Sequence, residues 1–275
     1  MTRDEESTYV RLLEEGRIAE AEDYLHRLVP RILTKFVALG DDEQENEKRF
    51  LSLKNNWIWF STASQYNDPA ELASLYFDRE DLRSHGFPEE LASAYCHFFA
   101  AHIKKLLLVS LSANTPDNLP MWAYYTNNHH GFCIEYEVLD TRQICKLIYV
   151  PKRYNITNIF TETLQSVAAH EKYGAEFPTD HMKKMIIMKN RLYMKSASWQ
   201  HENECRIIYL EEEEKAGANI PLDSVGLKIR RIIAGVNCSD KHMARLQSIS
   251  NSLGCGKITL AKVNECSENF IDFED

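Results

Sequence analysis

The sequence predicts an α+β fold: a mixed or antiparallel central sheet flanked by helices and led by an N-terminal helical hairpin. Three observations carry this. Apolar and aromatic stretches of strand length recur along the 275 residues, and several neighbours lie close enough for antiparallel pairing. Amphipathic helical stretches interrupt them unevenly, without the regular alternation of a doubly wound sheet. The composition, 44% hydrophobic and 27% charged, suits a chain that buries a core. With no Pro-, Gly- or Ser-rich linker, residues 30–275 read as one α+β domain behind a hairpin at residues 1–29.

The hairpin follows from apolar positions at helical spacing, Tyr9, Leu12, Leu13, Ile18, Ala21, Leu25 and Leu28, broken by Gly16. It resembles one tetratricopeptide-type unit, but no second copy follows, so it reads as a cap. Pro30 ends it. Residues 33–39 then read as a strand, residues 42–55 as a polar-faced helix, and Trp57-Ile58-Trp59-Phe60-Ser61 as a strand by its aromatic and branched content. A turn is expected at Asn67-Asp68-Pro69.

Residues 89–105 read as an amphipathic helix, 106–112 as a buried strand, and 121–126 as a helical turn. Strands are expected at 131–138 and 146–150, then helices near 154–171 and 178–194. The chain returns to strand at 204–210 and 227–235, passes through a helix at 240–253 and ends on a strand at 257–263. The strands at 57–61, 106–112, 131–138, 204–210 and 227–235 are expected to share one core.

Bulk properties exclude several classes. No apolar run approaches the roughly 18 residues of a membrane span, and the charged start from Met1 to Glu6 lacks a signal-peptide stretch, so a cytoplasmic location without a membrane partner is expected. Cysteines at 96, 133, 145, 205, 238, 255 and 266 are odd in number and form no CxxC pair. Reduced thiols are expected, with neither a disulfide framework nor a cysteine zinc site. A net charge of −9 requires any nucleic-acid partner to find a local basic groove. The histidines His129, His130 and His201 show no ligand spacing, and Gly254 to Lys257 is too short for a phosphate loop, so no metal is expected.

The segment from Lys195 through Trp199 to Arg206 carries the densest chemistry. A strand beginning near Glu202 puts Glu202, Glu204 and Arg206 on one face and Cys205, Ile207 and Tyr209 on the other. Such a face is either a solvated edge with a Glu204–Arg206 ion pair, or a site in which a desolvated carboxylate acts as a base or binds a sugar hydroxyl, Arg206 sets its charge state and Trp199 supplies a wall. Asn67 and Asp68 are turn formers or ligand contacts. Ser110 and Ser112 alternate on one strand face, as core hydroxyls bonded to backbone or as site groups. Trp122 and Tyr125, in an aromatic helical turn, are core or a stacking surface.

The order of these motifs resembles the bacterial family catalogued as domain of unknown function 2971, some of whose relatives look like abortive-infection proteins of phage defence. The resemblance runs over about residues 30–236, through Leu33 to Phe36, Trp57 to Ser61, Tyr66 to Pro69 with Glu71, Val109 to Ser112, Met121 to Tyr125, His130 to Ile134, and Lys195 to Arg206. A further likeness, to the ADP-ribosyltransferase fold, rests on a strand ending in Ser61, a Glu204 that opens a strand, a proline-bearing loop at Ile220-Pro221-Leu222, and a second strand at 229–233.

That likeness implies NAD as a substrate, with Glu204 as catalytic carboxylate, Glu202 orienting the acceptor or water, Arg206 beside them, and Lys35 and Ser61 near the NAD. Asn67, Asp68, Ser110, Ser112, Trp122, Tyr125 and Trp199 complete the expected binding set. The acceptor is a protein or nucleic acid, and a neutralising or phage-derived trigger protein is an expected partner. Three functions follow as alternatives: an NAD-consuming transferase acting as a defence effector or toxin, a non-catalytic sensing module, and a nuclease that gathers Lys35, Lys195 and Arg206 on a basic face.

Overall fold

A computed structural model describes residues 3–68, 70–73, 75–88, 90, 93–94, 103–174 and 191–274. Helices α1 (Arg3–Glu14) and α2 (Ile18–Arg27) form the leading hairpin. Tyr9, Leu12, Ala21 and Leu25 bury their apolar face against Cys145, Ile148, Val150 and Met194, so the hairpin braces the strands that follow rather than standing apart.

Strand β1 (Ile32–Val37) leads to helix α3 (Glu43–Lys54), whose N-cap Asp42 accepts from the backbone N–H groups of Gln44 and Glu45. Strand β2 (Trp57–Thr62) runs into a 3₁₀ turn at Ala63–Gln65, then the short β3 (Leu75–Tyr76) and α4 (Arg79–Ser84). Strand β4 (Leu106–Ser112), helix α5 (Leu119–Tyr125) and β5 (Phe132–Val138) follow. The helix expected at 89–105 lies largely outside the described residues, as do Pro69 and most of the helix expected at 178–194.

The stretch read as one strand at 146–150 is two. β6 (Cys145–Lys146) joins the main sheet, while β7 (Ile148–Val150) pairs in parallel with β9 (Met194–Ser196), and the break falls at Leu147, whose N–H still donates to the Glu204 carbonyl at 3.0 Å. β8 (Tyr154–Asn155) pairs with β3, and the helix read at 154–171 begins later, as α6 (Thr157–Tyr173). After a 3₁₀ turn at Ala197–Glu202, strand β10 (Glu204–Leu210) runs the length of β4. The proline-bearing segment read as a loop is a strand, β11 (Gly217–Pro221), on the sheet edge against β2. Pro221 sits at its end, where the missing N–H breaks no ladder. β12 (Leu227–Ala234), α7 (Asp240–Ser252), β13 (Thr259–Lys262) and β14 (Asp272–Glu274) close the chain.

The result is a mixed α+β fold around a curled ten-stranded sheet, in the order β11-β2-β4-β1-β5-β12-β13-β14, with β10 and β6 joined through β4. The five strands expected to share a core all lie in it. Every pairing in it is antiparallel except β12 with β13.

The β4–β10 pair sets the plan of the molecule. Leu107, Val109 and Leu111 on β4 and Cys205 and Ile207 on β10 enter the main core with Phe60, Ile134 and Ile232. Alternation turns Ser110, Ser112, Glu204 and Arg206 to the opposite face, where register sets Ser112 against Glu204 and Ser110 against Arg206. One face of the pair is hydrocarbon throughout, and the other carries charge at the Ser112–Glu204 end and a second apolar cluster, Leu106, Leu108 and Ile208, at the far end.

Candidate functional site

The site grows from that polar face. Strand β10 opens at Glu204 rather than at Glu202, because Asn203 adopts the left-handed conformation (φ 49°) and breaks the extended run. Asn203 is pinned there: Lys146 donates to its carbonyl at 2.6 Å and to its side-chain oxygen, and its carbonyl accepts from the Ala113 N–H at 2.9 Å. Glu202 therefore belongs to the 3₁₀ turn and not to a strand face, yet the kink swings its carboxylate back toward that of Glu204. The two meet through a residue on another strand.

That residue is Lys195 of β9. Its Nζ lies 2.6 Å from Glu202 Oε2, 3.0 Å from Glu204 Oε2 and 3.4 Å from Glu71 Oε2. On the far side Arg206 places Nε 2.6 Å from Glu204 Oε1 and Nη1 2.7 Å from Glu71 Oε1. Glu71, Arg206, Glu204 and Lys195 thus form a closed ring of alternating charge, with Glu202 attached at Lys195. All five side chains are at most 9% exposed. Such a ring is tolerable inside a protein only because each ion faces opposite charge on two sides.

Neutral donors complete it. Ser110 donates to Glu204 Oε1, Tyr125 donates to Glu202 Oε1, and the Glu204 backbone N–H donates to the Tyr149 hydroxyl at 2.8 Å. Ser112 donates to the Glu202 carbonyl at 2.6 Å, tying the kink to β4. The Arg206 guanidinium lies 5.8 Å from the centroid of the Tyr66 ring, and its Nη2 is buried without a hydrogen-bond partner among the described residues.

The two glutamates are pushed in opposite directions. Burial alone would raise Glu204, but Arg206 and then Lys195 overcome it and hold the carboxyl at about 2. Burial raises Glu202, opposed by Lys195 and Tyr125, and the net shift is upward. Burial also acts to lower Lys195, yet Glu204, Glu71 and Glu202 together raise it, so it stays charged. Lys35 on β1, half-buried, has no carboxylate within ion-pair distance among the described residues and donates at 3.4 Å to the Ser110 carbonyl. Burial draws its amine down to about 8, and Glu204 opposes the shift.

These groups floor a cleft of about 220 Å³. Among the predicted residues, Lys35, Ser61, Asn67, Asp68, Ser110, Ser112, Tyr125, Trp199, Glu202 and Glu204 line it. Trp122 does not. It is wholly buried in a separate cluster, where its indole N–H donates to the Pro116 carbonyl and its ring meets Phe36 edge to face at 5.2 Å. Its part is to back Phe36, which does line the cleft. Arg206 lies beneath the floor and orients Glu204 from behind.

Glu71 and Tyr66, to which the sequence alone gave no site role, come in together from the segment after β2, and Lys195, expected only on the basic face of a nuclease, instead bridges the glutamates. Glu71 and Lys195 stood within noted motifs, but nothing in their spacing shows that they close a ring. Among the described residues no group of three or more His, Cys, Asp and Glu is placed to hold a metal ion. The three clustered glutamates are bridged by cations of the protein instead. No helix among the described residues is long and apolar enough to cross a membrane.

No curated protein and no solved structure matches the chain. The match to a family model is narrower than the expected span of residues 30–236 and leaves out Lys35, Ser61, Glu71, Ser110 and Ser112. Residues 121–207, which carry Tyr125, Lys195, Trp199, Glu202, Glu204 and Arg206, are similar to the family described as protein of unknown function (DUF2971).

Proposed function

We propose that the cleft is the active site of an ADP-ribosyltransferase-like enzyme that cleaves the nicotinamide–ribose bond of NAD. The observation that carries the reading is the Glu202–Lys195–Glu204 bridge, in which two carboxylates a few ångströms apart are driven to opposite protonation behaviour. Paired groups whose environments separate their pKa values mark acid–base and electrostatic roles.

The division of labour follows. As the glycosidic bond breaks, its electron pair leaves with nicotinamide and positive charge grows on the ribose. Glu204, ionised at every working pH and fixed by Arg206, Lys195 and Ser110, stabilises that charge without reorganising. Glu202, raised by burial above its ordinary value, accepts the proton of the attacking water or of an acceptor hydroxyl on a protein or nucleic acid. Trp199 and Tyr125 offer flat walls for the nicotinamide ring. A defence setting, with a neutralising or trigger protein, is proposed from the resemblance to abortive-infection proteins.

A second reading, a non-catalytic module that senses the same ligand, is favoured by one fact: both Glu204 oxygens already have protein partners. The nuclease reading loses its basis, since Lys195 and Arg206 are neutralised by Glu71, Glu202 and Glu204 and form no basic face. Incubating the protein with NAD and measuring free nicotinamide separates the two survivors. Nicotinamide release that is lost in Glu202→Gln is expected of the enzyme; NAD binding with no release at any pH would leave the sensor.

A further inference from the structure

Beside the charged cleft lies a second cavity, of about 380 Å³, lined by Asn67, Tyr124, Tyr125, Ser198, Trp199 and His201. It shares Asn67, Tyr125 and Trp199 with the cleft, so the two cavities adjoin along these three side chains. Their characters differ: one is floored by ions and the other by rings.

Three features of the second cavity point to a ligand. Tyr124 is 65% exposed, unusual for a large aromatic with no core to pack against. Its ring stands edge-on to His201 at 5.8 Å, Trp199 lies 6.0 Å from His201, and all three flat side chains line the one cavity. The Nε2 of His201 is buried and has no hydrogen-bond partner among the described residues. Buried polar nitrogens are rarely left so, and a turn of the imidazole ring toward the cavity would offer this one to a ligand atom.

The platform is also held in place in advance. The His201 backbone carbonyl accepts from Asn114 Nδ2 at 2.7 Å, which ties the 3₁₀ turn to the loop ahead of α5. Asn67 at the rim has no hydrogen bond among the described residues for its side-chain amide. An amide presents a donor and an acceptor side by side, the complement of the edge of adenine. Stacking surfaces with one amide and one ring nitrogen fit a heteroaromatic base better than a hydrocarbon.

We infer that this cavity is a base subsite that takes the adenine ring of a nucleotide whose sugar reaches into the charged cleft. On the proposed NAD-cleaving reading, on which this inference rests for the identity of the substrate, it holds the adenosine end of the dinucleotide while the nicotinamide riboside end lies over Glu204. The ligand is thereby a nucleotide and not a free sugar or an apolar metabolite.

The test is calorimetric titration of the full chain with AMP and, separately, with nicotinamide mononucleotide, for the wild type, Tyr124→Ala and Trp199→Phe. The exposure of Tyr124 keeps its truncation from disturbing the fold, which thermal melting checks. AMP is expected to bind the wild type and to weaken about tenfold in Tyr124→Ala, the loss typical of one stacking partner. In Tyr124→Ala, whose side chain lines only the second cavity, binding of nicotinamide mononucleotide should stay within about twofold of the wild type. Trp199→Phe, which keeps a smaller ring, should show an intermediate loss for AMP. Failure of AMP to bind at millimolar concentration, equal AMP affinity in Tyr124→Ala, or displacement of AMP by N-acetyltyrosinamide but not by adenosine would overturn the subsite. Nicotinamide release from NAD is scored separately: AMP binding that depends on Tyr124 without any release leaves the subsite standing and removes the enzyme reading, while release without AMP binding does the reverse.

Discussion

Lys195 Nζ stands 3.0 Å from Oε2 of Glu204, and the two side chains are 5% and 2% exposed, so neither can exchange the other for water. This contact joins β9, a strand outside the main sheet, to the first residue of β10. It makes Lys195 the only described residue that contacts Glu71, Glu202 and Glu204 together.

Lys195→Met keeps the length of the side chain and removes its charge, leaving three buried carboxylates with one cation, Arg206. The expected loss of stability is about 3–5 kcal/mol, the range for breaking a buried pair. Urea unfolding measures it. A loss under about 1 kcal/mol would mean that the ring is hydrated and carries little energy.

Glu204→Gln behaves differently from what its volume suggests. On size alone the substitution should be silent for folding, but here it removes the charge that faces both Arg206 and Lys195 and turns one of the two acceptor oxygens into an NH2 donor, so one of those cations loses its acceptor. A loss of about 2–4 kcal/mol is expected, smaller than for Lys195→Met because Glu71 still faces both cations. Activity and stability should therefore fall together, and only turnover measured well below the melting temperature separates a catalytic from a structural role.

Acid titration has a defined sign. Glu204 is held at about 2, below its ordinary 4.5, so the unfolded chain binds the extra proton between those values. Stability from this group is complete above about pH 4.5 and is lost as pH falls toward 2, amounting to about 3 kcal/mol. In Glu204→Gln the dependence of unfolding free energy on pH in that window should flatten. An unchanged slope would show that Glu204 is not the group held ionised.

Activity should also rise with pH, but along a limb at higher pH than the stability limb. Glu202 is raised, so a reaction that needs it as a base should increase with pH through a value above the usual glutamate range. The limb should disappear in Glu202→Gln, leaving a low and flat profile. A profile that keeps its acid limb in that variant would assign the limb elsewhere.

Thiol labelling probes the packing behind the site. Cys133, Cys145, Cys205 and Cys238 are buried and in no disulfide, and burial pushes Cys205 up to about 12 and Cys238 up to about 11. Cys266 is exposed. In the native protein Cys266 should react at least 100-fold faster than these four, since the thiolate is the nucleophile. Fast labelling of Cys205 would mean that the β4–β10 pair opens readily.

Most strands were legible because period-two alternation and branched or aromatic content are local signals. Leu106 to Ser112 and Glu204 to Leu210 both display them, and the hydroxyl and charged positions stood out within them. What escaped depends on contacts distant in sequence. Nothing near Glu71 reveals that Arg206, on a strand far along the chain, closes on it. Trp122 and Trp199 look alike as aromatic candidates, and only packing decides that one backs Phe36 while the other walls a cleft. Glu202 reached the site by a route the alternation rule misses: Asn203 in a left-handed conformation replaced the assumed strand, and the carboxylate arrived through a kink.

The division of β4 and β10 into a hydrocarbon face and a face that is ionic at one end also acts as a check on their own alignment. Sliding β10 along β4 by one residue would carry Glu204 and Arg206 into the layer now filled by Leu107, Val109 and Leu111, and bring Cys205 and Ile207 out to Lys195. Two ions stranded in hydrocarbon make that arrangement prohibitive, whereas a wholly apolar pair of strands would tolerate the slip far more easily. The same charges proposed to serve chemistry therefore proofread the pairing of the two strands as the chain folds, and substitutions that neutralise them should be watched for misaligned, aggregation-prone products as well as for lost turnover.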